Sequence, residues 1–189
     1  MNQIPSRSRR IMLQAGAATA ALGAPGLLLA QPNAVKIGMV HPVSGALAYN
    51  GGQSRLGAQL AIDEINAAGG IKAMGGAKLE AVLGDSQLRP EVGVSEVERM
   101  EQEGVSAYIG CFSSSIALPS TQAAAKYNTP FLIDVGVSDA IVSRGLKNVF
   151  RLAPGNGKCA DDAFAAMAEI NKAGVAKTAV IVHEDSEFG

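Results

Sequence analysis

The stretch from residue 35 to residue 71 constrains this chain most. It holds an apolar run, a Gly/Ser-rich turn, an amphipathic segment and a closing Gly-Gly pair, in that order. A run such as VKIGMV, apolar almost throughout, suits a strand buried on both faces of a parallel sheet. Ala58, Ala61, Ile62 and Ile65 then fall at i, i+3, i+4 and i+7, which predicts a helix over about 53–68 with one apolar face. Gly69-Gly70 supplies the left-handed backbone that ends it. The same alternation recurs. Apolar runs at 79–83, 105–109, 131–133, 149–152 and 178–182 predict strands. Helices are predicted from Pro90 to about Gln102, from Ser113-Ser114-Ser115 to about Tyr127, and from Gly155-Asn156-Gly157 to about Ala173. Such alternation means α/β architecture, a parallel sheet with helices on both faces. The last run has no helix pattern after it, so the expectation is a partial chain.

Composition agrees with that class. Apolar residues make up 48% of the 189, aromatics only 4%, and there is no Trp. That suits an interior of Ala, Val and Ile better than an all-β sandwich. The formal charge of −1 and the lack of a basic stripe argue against nucleic acid as a partner. Residues 1–30 are a separate matter. Arg7, Arg9 and Arg10 precede an uncharged Ala/Gly/Leu-rich stretch, and Ala30 marks a cleavage point. The stretch is short and broken by Gly and Pro25, the layout of an export signal rather than a membrane anchor. The order Ser8-Arg9-Arg10-Ile11-Met12-Leu13-Gln14 also fits the twin-arginine signal; an ordinary secretion signal that contains two arginines is the alternative. Its removal takes three basic residues and no acid, leaving a mildly acidic mature chain.

Few residues carry chemistry. Ser113, Ser114 and Ser115 sit where a strand becomes a helix, where free N–H groups and the helix dipole suit a carboxylate; plain capping needs only one of them, and both readings stay open. The loop after the fourth strand offers Gly136 and Ser138, and the first loop offers Ser44, Gly45, Tyr49 and Asn50; a simple turn accounts for either loop equally well. His41 and His183 are isolated, Asp63-Glu64 lies on a helix, and Glu184-Asp185 sits at a strand end, read first as a charged loop with a ligand contact as the alternative. Cys111 and Cys159 make no metal site, and whether they pair is left open. No G-x-S-x-G elbow, P-loop or G-x-G-x-x-G follows the first strand, so neither a catalytic centre nor a cofactor is called for.

In order, KIGMVHPVSGALAYNGGQ, GAQLAIDEINAAGGI, IGCFSSS, the SRG before VFRLAP, and VIVHEDSEFG resemble the periplasmic solute-binding proteins of ABC transporters, in the branched-chain amino acid (Leu/Ile/Val) binding family. The resemblance implies two α/β lobes, type I in fold, that close on a ligand about a hinge. Residues 31–150 would be the amino-terminal part of lobe one, and residues 151–189 the start of an incomplete lobe two. It further implies that Ser114 binds the ligand carboxylate and that Ser138 binds the head group. The Gly136 carbonyl would take the ligand ammonium, Phe112 would border the side-chain pocket, and Phe188 would close over it. Asn50 stands where the family has an aromatic residue, with Tyr49 beside it. Leu88 and Ser113 stand where Leu/Ile/Val binders often carry a disulfide. The acid that pairs with the ammonium would lie beyond Gly189.

The function so implied is a non-enzymatic receptor in the periplasm. It would bind an amino acid or a related carboxylate or amide, deliver it to an ABC permease in the inner membrane, and act as a monomer when complete. A ligand-sensing regulatory module of the same fold is the alternative, and an α/β enzyme a more distant one. Residues 31–189 alone are expected to bind weakly, because a cleft needs both walls.

Overall fold

The computed structural model describes residues 34–189; the export signal expected over residues 1–30 lies outside the described residues. Strands β1 (Val35–His41), β2 (Leu79–Asp85), β3 (Ala107–Gly110), β4 (Phe131–Ile133) and β5 (Val149–Arg151) form one parallel sheet in the order β2-β1-β3-β4-β5. Between and after them run α1 (Ala48–Ala67), α2 (Pro90–Gln102), α3 (Ser114–Ala125), a single turn α4 (Ala140–Ser143), and α5 (Asn156–Ile170).

The order dictates where the helices go. From β1 the chain steps outward to β2, then returns past β1 to β3 and continues to β4 and β5. Parallel crossovers are right-handed, so reversing direction moves the helix to the opposite face. α1 therefore covers one face, and α2 and α3 the other. Gly38 shows how close the second layer lies: a Cβ there would stand 2.6 Å from the Tyr108 ring and 2.8 Å from the Met100 sulfur. Val97 and Met100 of α2 and Ile116, Ala117, Ala123 and Ala124 of α3 pack on Val40, Val82, Tyr108, Phe131 and Ile133 as one buried cluster. Tyr108 and Phe131 stack with ring centroids 5.1 Å apart. The Tyr108 hydroxyl donates to the Val97 carbonyl at 2.9 Å, which satisfies the only polar atom of that ring.

The α1 face is covered less fully. Leu83, Met39, Ile109, Leu132 and Phe150 form one register row across the sheet. Met39 on β1 is fully buried, while Leu83 and Phe150 at the two edges are about half exposed. α1 packs on β2, β1 and β3, toward one side of the sheet. Of the apolar face expected for α1, only Ile62 is buried; Ala58 is half-buried, Ala61 and Ile65 stand exposed, and so do Leu56 and Leu60 outside that face.

Two expectations need correcting, and one open question closes. α1 starts at Ala48, five residues early, so Tyr49 and Asn50 form its first turn instead of a loop. The reason is packing: a Cβ on Gly51 would lie 2.0 Å from the Pro42 carbonyl oxygen, so the glycine serves a close approach of helix to loop rather than flexibility. The run 178–182 forms no strand, and Val180 and Val182 are 88% and 92% exposed. A strand needs a neighbour for its N–H and C=O groups, and β5 pairs only with β4. Cys111 and Cys159 are both free thiols, one buried and one exposed. Among the described residues, no helix is long and apolar enough to cross a membrane.

Phe131 is fully buried at the centre of the core. Phe131→Ala is expected to lower stability by about 3–5 kcal/mol through lost burial and the cavity left behind, read as a fall in the urea midpoint.

Candidate functional site

An order of 2-1-3-4-5 has its topological switch point between β1 and β3, and ligands of doubly wound sheets bind at the carboxyl ends of the strands there. A cavity of about 330 Å³ lies at that place, lined by Leu47, Phe112, Ser113, Ser114, Val135, Val137, Glu184 and Phe188. Leu47 comes from the turn after β1. Phe112, Ser113 and Ser114 come from the end of β3 and the start of α3, and Val135 and Val137 from the turn after β4. The walls are chiefly apolar with a few polar groups, the usual composition of a small-molecule pocket.

The polar end of the cavity is the α3 amino terminus. Ser113 holds the N-cap position with extended backbone, yet its side chain makes no capping bond. Its hydroxyl pairs instead with that of Ser115 at 2.8 Å. Plain capping is therefore not what this serine does, and the first turn of α3, which borders the cavity through Ser113 and Ser114, has no side-chain cap. Ser114 is buried, and its Oγ accepts a hydrogen bond from the Ser138 N–H at 3.2 Å. That bond ties the turn after β4 to the start of α3. The Ser138 hydroxyl in turn donates to the Glu187 carboxylate at 3.2 Å.

Phe112, Ser114 and Phe188 thus share one cavity, and Ser138 adjoins it through Ser114. Gly136 is packed behind the turn: its N–H donates to the Cys111 carbonyl at 3.2 Å, and a Cβ would meet Ile141 and Ile133. Tyr49 and Asn50 do not line the cavity. Tyr49 is 77% exposed on the first turn of α1, and from the loop after β1 it is Leu47, not Tyr49 or Asn50, that lines the cavity. Sequence reasoning also passed over Val135 and Val137, whose alternation in DVGVSD is the signal of two side chains on one side of an extended turn.

Charge around the cleft is organised by Asp139. Its carboxylate accepts the Gly157 N–H at 2.7 Å, at the start of α5, and pairs with Arg151 at 3.2 Å. These contacts, the Gly157 bond foremost, hold it below the usual carboxylate range. Arg151 also donates to the Val137 and Ser138 carbonyls at 3.1 and 2.8 Å. Asn156 anchors the same junction, its N–H on the Val137 carbonyl and its Nδ2 on the Phe188 carbonyl. At the opposite side, burial raises the Asp85 carboxyl, but bonds from the Ser44 hydroxyl and the Gln87 and Val43 N–H groups outweigh it, and the group stays low. Among the described residues, no cluster of His, Cys, Asp and Glu could hold a metal.

The fold and cleft define a class, a doubly wound α/β lobe with a cavity at its strand ends. Comparison with known proteins is specific about the family. The family model described as "Periplasmic binding protein" matches residues 34–189. Leu/Ile/Val-binding protein homolog 8 of Brucella abortus (strain 2308) is 32% identical over 160 residues, 82% of this chain and 39% of that protein. Homolog 7 of the same organism is 35% identical over 143 residues, 75% of this chain and 32% of that protein. Among solved structures, the substrate-binding protein LivJ of Streptococcus pneumoniae in complex with isoleucine matches with a TM-score of 0.61 and 31% identity, covering 65% of this chain and 34% of that one. A substrate-binding protein of Desulfitobacterium hafniense in complex with Leu matches at 0.63 and 26%, covering 73% and 39%. The chain belongs to the periplasmic binding protein family, with the fold of a type I lobe, and it spans under two fifths of the length of these relatives.

Because the Asp139 carboxyl is depressed in the folded chain, the contact it makes at the start of α5 is complete above its ordinary pKa of about 4 and is lost as pH falls below that. The protection of the Gly157 amide, measured relative to its intrinsic exchange rate at each pH, is expected to fall on acidification through that range, and Asp139→Ala should show the low protection already at pH 7.

Proposed function

We propose that this chain belongs to the extracytoplasmic receptor of an ABC importer and that it binds an amino acid or a related small carboxylate without turning it over. The observation that carries the reading is the cavity at the switch point, where Ser113 and Ser114 bring a helix amino terminus against apolar walls. A carboxylate suits the first-turn N–H groups and the Ser114 hydroxyl. Ser138 takes the rest of the head group, and Phe112, Leu47, Val135 and Val137 take an aliphatic or aromatic side chain. Phe188 and Glu184 border the ligand from the segment after α5. In this reading a second lobe completes the cleft, closes on the ligand about a hinge, and offers the closed form to an inner-membrane permease. The export signal expected over residues 1–30 would place the protein in the periplasm. Relatives solved with isoleucine and with Leu support the ligand class. Glu184 in the cavity wall, with Glu187 on Ser138, favours a ligand that carries an amine beside its carboxylate.

The test is calorimetric titration of the protein made from the full reading frame with L-leucine, L-isoleucine and the corresponding 2-oxo acids. Saturable binding of an amino acid with no product formed supports the reading; turnover, or binding of none of these, contradicts it. In the same protein Ser114→Ala is expected to weaken binding by about 1–3 kcal/mol, the cost of an unmet buried carboxylate contact. Unchanged affinity would remove Ser114 from the site.

A further inference from the structure

The proposed function leaves one buried ionisable pair unused, His41 and Asp134. Val40, Gly110 and Ile133 form the last paired row across β1, β3 and β4, so His41 and Asp134 each stand one residue beyond it. β1 and β4 are not neighbours. With β3 between them, their backbones lie about 10 Å apart at the usual strand spacing. Two side chains span that gap: His41 Nε2 donates to Asp134 Oδ2 at 2.8 Å, with the His41 side chain fully buried and that of Asp134 12% exposed. They cross over the end of β3, where Gly110 has no side chain and sits so close to β1 that a Cβ would lie 2.2 Å from the Val40 carbonyl.

The bridge is not arranged for stability. His41 Nδ1 and Asp134 Oδ1 are both buried with no partner. Leaving such atoms unpaired is costly, and a buried polar bridge of this kind is weak evidence of net stabilisation; the best-attested use of such pairs is to fix registry. What it fixes here is on either side of the cavity. Six residues beyond His41 is Leu47, and directly after Asp134 come Val135, Gly136, Val137 and Ser138. Asp134 is held by its main chain too, its N–H donating to the Gly110 carbonyl at 3.2 Å. Other groups nearby are committed elsewhere. Asp85, beside His41 in register, accepts the Val43 and Gln87 N–H groups. The buried Cys111 thiol, next to Asp134, is pushed up by burial and by that carboxylate, and stays protonated.

We propose that His41 and Asp134 are a positioning pair for the cleft: their bond across the end of β3 sets the distance between the Leu47 wall and the Val135–Ser138 turn. The proposal rests on reading this cleft as the ligand site. Amide exchange of the intact chain, which needs no ligand, tests the positioning. His41→Leu is expected to speed exchange at the Gly136 and Ser138 N–H groups by about tenfold while the centre of α2 is unchanged. His41→Gln, which keeps an N–H donor, should restore much of the protection. Because His41→Leu strands a carboxylate and can fail to fold, His41→Leu with Asp134→Val is made beside it. That variant has no stranded charge and should regain the thermal midpoint without regaining protection at Ser138. Its affinity for L-isoleucine in the full-frame protein should fall about tenfold. A double variant with native midpoint, native Ser138 exchange and native affinity overturns the proposal. Failure of the unaltered protein to bind either amino acid overturns the functional reading instead, and the exchange data still decide the pair.

Discussion

Everything near the cleft depends on where three parallel strands stop. β1, β3 and β4 are held in register by backbone pairing, and their last paired row is Val40, Gly110 and Ile133. Beyond that row β3 offers neither neighbour a further ladder partner, and only β1 continues, by one residue, with His41 beside Asp85 of β2; the chains then turn away and satisfy their backbone by other means. The turns do so with one another. The Ser138 N–H reaches the Ser114 hydroxyl, the Gly136 N–H reaches the Cys111 carbonyl, and the Asp134 N–H reaches the Gly110 carbonyl. A small concave surface results, built from segments far apart in sequence and rigid because the sheet beneath fixes their starting points.

The reversal of direction at β1 opens that surface. α1 departs to one face and α2 and α3 to the other, so the loops after β1 and β3 diverge and leave a crevice. Ser113 and Ser114 sit in it at the start of a twelve-residue helix. The chemistry on offer is modest, a helix end, two hydroxyls and apolar walls. That inventory suits holding a small carboxylate, which is how the functional reading and the family membership meet.

Much of the fold was legible because its signals are local. α2 was bounded at Pro90 and Gln102 by its own N1 proline and periodicity, and β4 by its apolar run. The misses are nonlocal. The run at 178–182 has strand composition but no neighbouring strand, and composition carries no information about pairing. The early start of α1 is decided by Gly51 meeting Pro42, a contact that periodicity does not encode. In the site, Ser114 was readable because serines at a strand-to-helix step have a specific physical use, whereas Phe112 came only through the family resemblance. Leu47 was not readable, since one leucine in a Gly/Ala-rich turn looks like any other. The His41–Asp134 bridge was invisible for the same reason: its partners are 93 residues apart and meet only through the register of β1, β3 and β4.

The central claim is that the cleft at the β1/β3 switch point is where ligand binds. Backbone amide chemical shifts of the full-frame protein, followed during titration with L-isoleucine, test it most directly. The account predicts that the largest changes fall at Phe112, Ser113, Ser114 and Ser115 and at Val135, Gly136, Val137 and Ser138, with β2 and the outer face of α2 little affected. Saturable binding whose shifts centre elsewhere, and spare the start of α3, would contradict it.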